Sequence, residues 1–305
     1  MTDPSGTTEW ENDGGRAADR IQIAPLASLA EFERCVELQL AVWGYSEGDL
    51  IPKRVFIVAQ RIGGQVIGAI DGDTIVGFAM SLPGYRDGKP YLHSHMLAVL
   101  QEYRNAGLGR RLKLAQRDDA LARGIDLMEW TFDPLEIKNA HLNIARLGAI
   151  ARRYMGDFYG PSTSPLQGGL PTDRLVAEWW LRSERVRQAL GEDKAGLRID
   201  QAKIEPEAGR PVEKTVEKVA IPRAIHDWKR SPEQRKLAEA LQTRNRIALE
   251  SAFARGLAIT GYERSPEGDG CFLLGPLGAL GEQETGNWQL GPGNSTTRTT
   301  GRQLC

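Results

Sequence analysis

The chain has 305 residues, 41% hydrophobic and 26% charged, with 39 basic residues against 40 acidic and a net charge of −1. Such a chain can bury a core without a metal or a disulfide, and its charge balance argues against a general polyanion binder, so no nucleic-acid partner is expected. Cys35, Cys271 and Cys305 stand far apart with no CxxC pair, which indicates neither a zinc site nor a disulfide framework. This usage suits a reducing compartment, so a cytoplasmic location is expected. No apolar run approaches the ~18 residues of a membrane span, and the polar first twenty residues do not read as a secretion signal.

Residues 1–20 are polar and read as disordered. IQIAPL (21–26) is a short strand, and Ser28 is placed to cap a helix over 29–43. Pro52 suits the first turn of a second helix through VFIVAQRI, stopped by Gly63 and Gly64. QVIGAI and TIVGFAMSL flank Asp71-Gly72, which is hairpin chemistry. A polar loop over 83–90 then leads to a strand, YLHSHMLAVL (91–100). The period changes to helical in GLGRRLKLAQRDDALARG, returns to strand in DLMEWTF (126–132), and a helix over 137–148 ends at Gly148. A Gly- and Pro-rich loop (156–171) precedes a strand, DRLVAEWWL (173–181).

Residues 184–217 are charged and weakly periodic, as in a linker or surface excursion. EKVAIP (217–222) reads as an edge strand, and 231–256 as the longest helix, with Ser231 as its cap, Pro232 at its first position and Gly256 as its stop. LAITGYE and GCFLLG are two further strands, and 279–305 reads as a disordered tail. The expected fold is α/β: a mixed sheet of six to seven strands flanked by helices, with a core over 21–183 and a C-terminal extension over 218–278.

The chemistry centres on Arg104-Asn105-Ala106-Gly107-Leu108-Gly109, which follows a strand and opens a helix. Glycines let backbone N–H groups approach an anion, and the helix start adds unpaired donors. A Walker A loop would need Gly-Lys-Ser/Thr, which is missing; a Rossmann fingerprint would need a small residue where Leu112 stands. A bare GxG is equally compatible with a helix that simply starts at glycines. The longer stretch, from Met96-Leu97-Ala98-Val99 through Glu102-Tyr103 to the turn, resembles the acyl-CoA-binding motif of the GCN5-related N-acetyltransferase (GNAT) family. The surrounding order of elements over 21–181 resembles it too; Gln101 departs from it, where proline is common.

The resemblance implies an acetyl-CoA or other acyl-CoA cosubstrate and no metal. Backbone around Leu97, Ala98 and Val99 would hold the pantetheine arm, and N–H groups of Asn105, Ala106, Gly107, Leu108, Gly109 and Arg110 the pyrophosphate. Asn139 and Asn143, one helical turn apart, would touch the pantetheine or cap local backbone. It also implies transfer to the amine of a small molecule such as an amino acid, with acetyl as the default group and succinyl as the alternative; a homodimer is compatible with it.

A lysine-like amine must lose a proton before it attacks, at a cost of about 4.6 kcal/mol at pH 7. His93 and His95, two apart on a strand, share one face and are the candidate bases, or simply pack along the sheet. His93 stands eleven residues before Arg104, where some GNAT members carry a glutamate base. Aligning on Arg146-Leu147-Gly148 puts Ile144 where the family's thiolate-protonating tyrosine stands, so that acid is missing or the register differs; Tyr154 and Tyr159 are the nearby substitutes, or simply core or loop tyrosines. Trp130, Trp179 and Trp180 read as core. Arg152, Arg153, Arg244 and Arg246 read as a solvated charged face, with pairing to a substrate carboxylate as the alternative. Rival readings are an acyl-CoA-binding sensor without turnover and a Rossmann-type dehydrogenase.

Overall fold

A computed structural model describes residues 20–192 and 217–276. The expected disorder of 1–20 and 279–305, and most of the 184–217 linker, lie outside the described residues. The chain opens with strand β1 (Gln22–Pro25) and helix α1 (Leu29–Trp43). Ser28 caps α1 as expected: its hydroxyl accepts from the Glu31 N–H, while the Glu31 carboxylate accepts from the Ser28 N–H, a reciprocal capping box. Helix α2 (Lys53–Arg61) follows, with Pro52 as the residue before its first turn.

Strands β2 (Gln65–Asp71), β3 (Thr74–Arg86) and β4 (Lys89–Val99) form an antiparallel meander. The loop expected over 83–90 is instead the tip of the β3–β4 hairpin. Pro83 and Pro90 lie within paired strands, and Asp87 and Gly88, both at positive φ, make the two-residue turn. The two prolines drew the reading toward a loop. Helix α3 (Leu108–Ala122), strand β5 (Leu127–Phe132) and helix α4 (Ile137–Ala140) come next, and α4 continues as a π-helix over His141–Arg146.

Strand β6 (Ile150–Met155) has no counterpart among the expected elements, because its centre is Arg152-Arg153. A register shift between Ala151 and Tyr154 in its pairing with β7 (Arg174–Trp180) lets both arginines reach the buried Glu178. Helix α5 (Glu184–Leu190) closes the first described stretch. The second holds β8 (Glu217–Ile221), α6 (Ile225–Arg230), α7 (Arg235–Ala254), β9 (Leu257–Arg264) and β10 (Gly270–Pro276). The single helix expected over 231–256 starts later, at Arg235; Ser231 accepts from the Gln234 N–H in the turn between α6 and α7.

The ten strands of the described residues form one mixed sheet, ordered β1-β2-β3-β4-β5-β7-β6-β9-β10-β8. The count exceeds the expected six to seven because β6 was unread and because β9, β10 and β8 continue the sheet through the Ala151–Ile259 contact. Helices cover both faces. Phe32, Phe56, Phe78 and Met80 make a core with α1 and α2, while Leu108 and Leu112 of α3 pack against Ile67 and Val76. The largest cluster joins Trp130, Trp179, Leu147, Leu249 and Phe272 across β5–β10. No helix among the described residues is long and apolar enough to cross a membrane.

Two irregularities in the sheet place the site. The β3–β4 register passes from Met80–Met96 to Ser81–Ser94, leaving His95 as an extra residue in a β-bulge. One extra residue swaps the faces of everything after it. Thus Leu97 and Val99 pack toward α3, while Met96 and Ala98 pack toward α1 and α2. The parallel β4–β5 pair is joined only at Leu92–Met128 and His93–Glu129, so beyond His93 the two strands have no mutual pairing and part.

Candidate active site

A cleft of ≈ 540 Å³ fills the gap where β4 and β5 diverge. Ser94, His95, Met96 and Leu97 form one wall, and Trp130, Thr131, Phe132 and Asp133 the other. Lys113, Asn139, Leu142 and Asn143 close the α3 and π-helix end. Trp43, Tyr45, Asp49 and Ile51 from the end of α1 and the segment after it, together with Tyr159, Ser162 and Arg174, line the opposite end. The cleft therefore passes through the sheet, from one helical layer to the other.

The turn over 104–109 lies at the α3 end. Asn105 and Gly107 have φ of 67° and 75°, the left-handed region that Gly and Asn tolerate best. Gly107 precedes α3, and no side chain caps that helix start. Arg104, Asn105 and Gly107 are exposed, and Leu108 alone of the turn is buried beneath it. Arg104 steadies the turn by donating from Nε to the Val99 carbonyl at 3.1 Å. Beside it, a Cβ on Gly109 would stand 3.7 Å from Leu97 and 3.8 Å from Leu142, so this glycine sits against two residues of the cleft lining. A bare helix start thus stands next to the Leu97 and Leu142 wall of the cleft, an arrangement suited to a diphosphate with an extended arm.

Residues 32–143 match the family model described as acetyltransferase (GNAT) family. Over that segment the chain carries a GNAT-type acetyltransferase domain. Its mixed α/β fold is the GNAT fold, with more strands than expected. Similar solved structures include Salmonella typhimurium yncA with its cofactor acetyl-CoA, at 16% identity over 54% of this chain and 95% of that one, TM-score 0.43. A GNAT family acetyltransferase from Elizabethkingia anophelis with acetyl-CoA bound matches at 14% identity over 53% and 99%, TM-score 0.40. The ribosomal-protein-S18-alanine N-acetyltransferase from Escherichia coli matches at 14% identity over 52% and 92%, TM-score 0.42. No curated protein matches the chain.

Within this GNAT domain the two histidines share a face, with ring centroids 6.0 Å apart, but they have different surroundings. His95 lines the cleft; burial lowers its pKa from the ordinary imidazole value. His93 does not line it. Burial first, and then His95, Lys113, Arg153 and Arg86, push its pKa down to about 4. His93 sits beside a network in which Glu129 accepts from Arg86 at 2.9 and 2.7 Å and also pairs with Arg153, while Glu178 holds Arg152 and Arg153. Arg152 and Arg153 are therefore committed to protein carboxylates. So is Arg246, through Asp173, while Arg244 reaches Asn245 and the Ala220 carbonyl. None of the four lines the cleft; Arg174 is the arginine that does.

Tyr154 also lies outside the cleft lining. Its hydroxyl donates to the fully buried Asp173 at 2.6 Å, and burial together with that carboxylate raises its pKa. Ile144, which the expected alignment puts in place of the family tyrosine, is buried at 1% exposure. Tyr159 is in the lining, its hydroxyl 2.9 Å from Thr131 Oγ1. Asn139 and Asn143 both line the cleft, one exposed and one buried. Leu97 lines it as well, Val99 packs under α3, Ala98 faces away, and Arg110 turns toward the Leu190 carbonyl. Trp179 is core, whereas Trp130 both packs edge-on against Trp179 at 5.8 Å and lines the cleft. Among the described residues, no group of three or more His, Cys, Asp or Glu is placed to hold a metal.

Several lining residues escaped the sequence reading. Lys113 lies on the buried stripe of α3 with Leu108, Leu112, Gln116 and Ala120, and a charged residue on such a stripe was the available signal. Asp133 and Glu136 are held by Lys229 of α6, almost a hundred residues away in sequence, and no local pattern points to that pairing.

Proposed function

We propose that the chain transfers an acyl group from an acyl-CoA to the amine of a small molecule by direct attack. The observation that carries this reading is the uncapped turn at 104–109, set through Gly109 against Leu97 and Leu142, which line the cleft between the parted strands. The pyrophosphate would lie on the N–H groups of Asn105 to Arg110, and the pantetheine along Leu97 to Val99, near Asn139 and Asn143. Beyond His93, β4 has no β5 partner, which leaves its main-chain donors free to meet the negative charge that forms on the carbonyl oxygen.

The acceptor would enter from the side of Trp43, Tyr45 and Tyr159, where His95 stands. A lowered pKa keeps His95 neutral at pH 7, able to accept a proton directly or through water. His93, deeper and beside two arginine-paired glutamates, is better suited to orienting His95 than to taking the proton. Acetyl is the default acyl group; Arg174 in the lining keeps succinyl open.

The core over 21–183 would carry the chemistry and the extension over 218–278 would brace the acceptor side. Its support is the Lys229 ammonium, 2.9 Å from Asp133 and 3.0 Å from Glu136, together with Gln242, which donates to the Pro171 carbonyl at 2.9 Å.

A thiol-release assay with acetyl-CoA, succinyl-CoA and a panel of small amines, amino acids included, tests the reading. Acyl-dependent thiol release that requires an amine is the expected result. Tight binding of CoA with no release on any acceptor would favour a sensor, for which the buried Ile144 is the motivating observation.

A further inference from the structure

We propose that Lys113 is the acid that protonates the departing thiolate, in place of the hydroxyl that Ile144 does not supply. The assignment rests on the acyl-transfer reading above and names a residue that the family pattern does not. Lys113 is on α3, four residues beyond Gly109, and is only 2% exposed. Its Nζ donates to Ser94 Oγ at 2.6 Å, and Ser94 Oγ in turn donates to Gln116 Oε1 at 2.9 Å. The same Nζ stands 3.7 Å above the Trp130 ring.

Among the described residues no carboxylate lies within ion-pair distance of this amine. The charged groups on the elements around it are engaged elsewhere: Asp133 and Glu136 with Lys229, Glu129 with Arg86 and Arg153, and Arg117 with Glu192. His93 is in electrostatic reach of Lys113, and burial keeps it neutral. A buried ammonium without a counter-charge is costly, and an aromatic face and a hydroxyl offset only part of that cost. Burial accordingly pulls the Lys113 pKa well below the ordinary lysine value. An anion that forms in the cleft against Nζ regains the missing interaction.

The departing sulfur is such an anion. Lys113, Ser94, Leu97 and Asn143 share the α3 end of the cleft, where Gly109 stands against Leu97, and His95, next to Ser94 in the strand, belongs to the opposite face of β4. The two proton transfers thus fall on opposite sides of the parted strands. The amine nitrogen bonds to the carbonyl carbon and its proton passes to His95. The carbon–sulfur bond breaks with its electron pair going to sulfur, and the Lys113 ammonium gives that sulfur a proton. The products are an amide and a free thiol; His95 then returns a proton to solvent and Lys113 takes one up, so the cycle balances.

The test is Lys113→Met, which keeps the stem and removes the charge. The acetyl-CoA Kd from calorimetry is expected to stay within about threefold, while kcat falls by roughly 10²-fold, the low end for a general acid, because a thiolate can also leave unaided. The wild-type kcat falls at high pH as Lys113 deprotonates, and that limb is expected to vanish in the variant. A purely structural role would not remove it. Should Lys113→Met fail to fold, Lys113→Arg reads the same limb, since a guanidinium holds its proton throughout the working range. An unchanged kcat with an unchanged pH profile overturns the assignment alone. Loss of turnover with succinyl-CoA but not acetyl-CoA also overturns it, in favour of recognition of an acyl carboxylate. A wild-type chain that binds acetyl-CoA yet releases no thiol overturns the acyl-transfer reading, and this assignment with it.

Discussion

Lys229→Met tests whether the C-terminal extension holds the cleft wall. The Lys229 side chain is 5% exposed, and its partners Asp133 and Glu136 are 11% and 30% exposed. Burial works against the ammonium, yet the two carboxylates outweigh it and leave its pKa above the ordinary lysine value. Methionine keeps most of the stem volume, so the loss is electrostatic. Removing one partner of a buried pair costs about 3–5 kcal/mol. Asp133 retains the Leu135 N–H at 2.8 Å, and Glu136 retains water. The expected loss therefore falls below that range, at about 2–3 kcal/mol. Urea unfolding should show a lower midpoint at unchanged slope. The further changes Asp133→Asn and Glu136→Gln in the same chain should recover much of the loss, because no uncompensated charge then remains. A loss below about 1 kcal/mol, or no recovery in the triple variant, would refute the claim that this ion cluster ties α6 to the cleft.

Four further outcomes follow from the geometry. His95→Ala should lower kcat by at least about 10²-fold, while His93→Gln should cost much less; equal losses would return His93 to the proton path. His93 has a folded pKa of about 4 against an unfolded value near 6.5, so the unfolded chain binds the extra proton between these values. Stability should fall as pH drops through that window, by up to about 1.4 kcal/mol per pH unit, and His93→Gln should flatten the slope measured by urea titration. Tyr154→Phe should destabilise by about 1–3 kcal/mol, since Asp173 loses a buried donor, with kcat unchanged; a drop in kcat at full stability would restore Tyr154 as a catalytic candidate. At Gly107, with φ of 75° and open space around it, alanine should cost about 1 kcal/mol in stability and weaken acetyl-CoA binding as measured by calorimetry.

The local features were legible in the chain itself. Ser28 and Glu31 encode a helix start within four residues, Asp71-Gly72 encodes a hairpin, and 104–109 encodes a turn at a strand-to-helix junction, because caps, tight turns and helix starts depend on near neighbours. Period-2 and period-3.6 patterns identified most strands and helices, and failed where the reason for a residue lay far off in sequence. Arg152 and Arg153 look like a solvated pair until Glu129 and Glu178 are brought beside them, and so β6 went unread. Pro83 and Pro90 look like loop residues until their pairing across the hairpin is seen.

Tertiary structure alone decided which histidine lines the cleft, since β4 is still paired with β5 at His93 and has parted from it at His95. It alone took Tyr154 to Asp173, Lys113 to Ser94 and Lys229 to Asp133. A charged side chain written in a sequence carries no record of its partner. Burial and partnership, which set its proton affinity and hence its role, arise only when distant segments pack together.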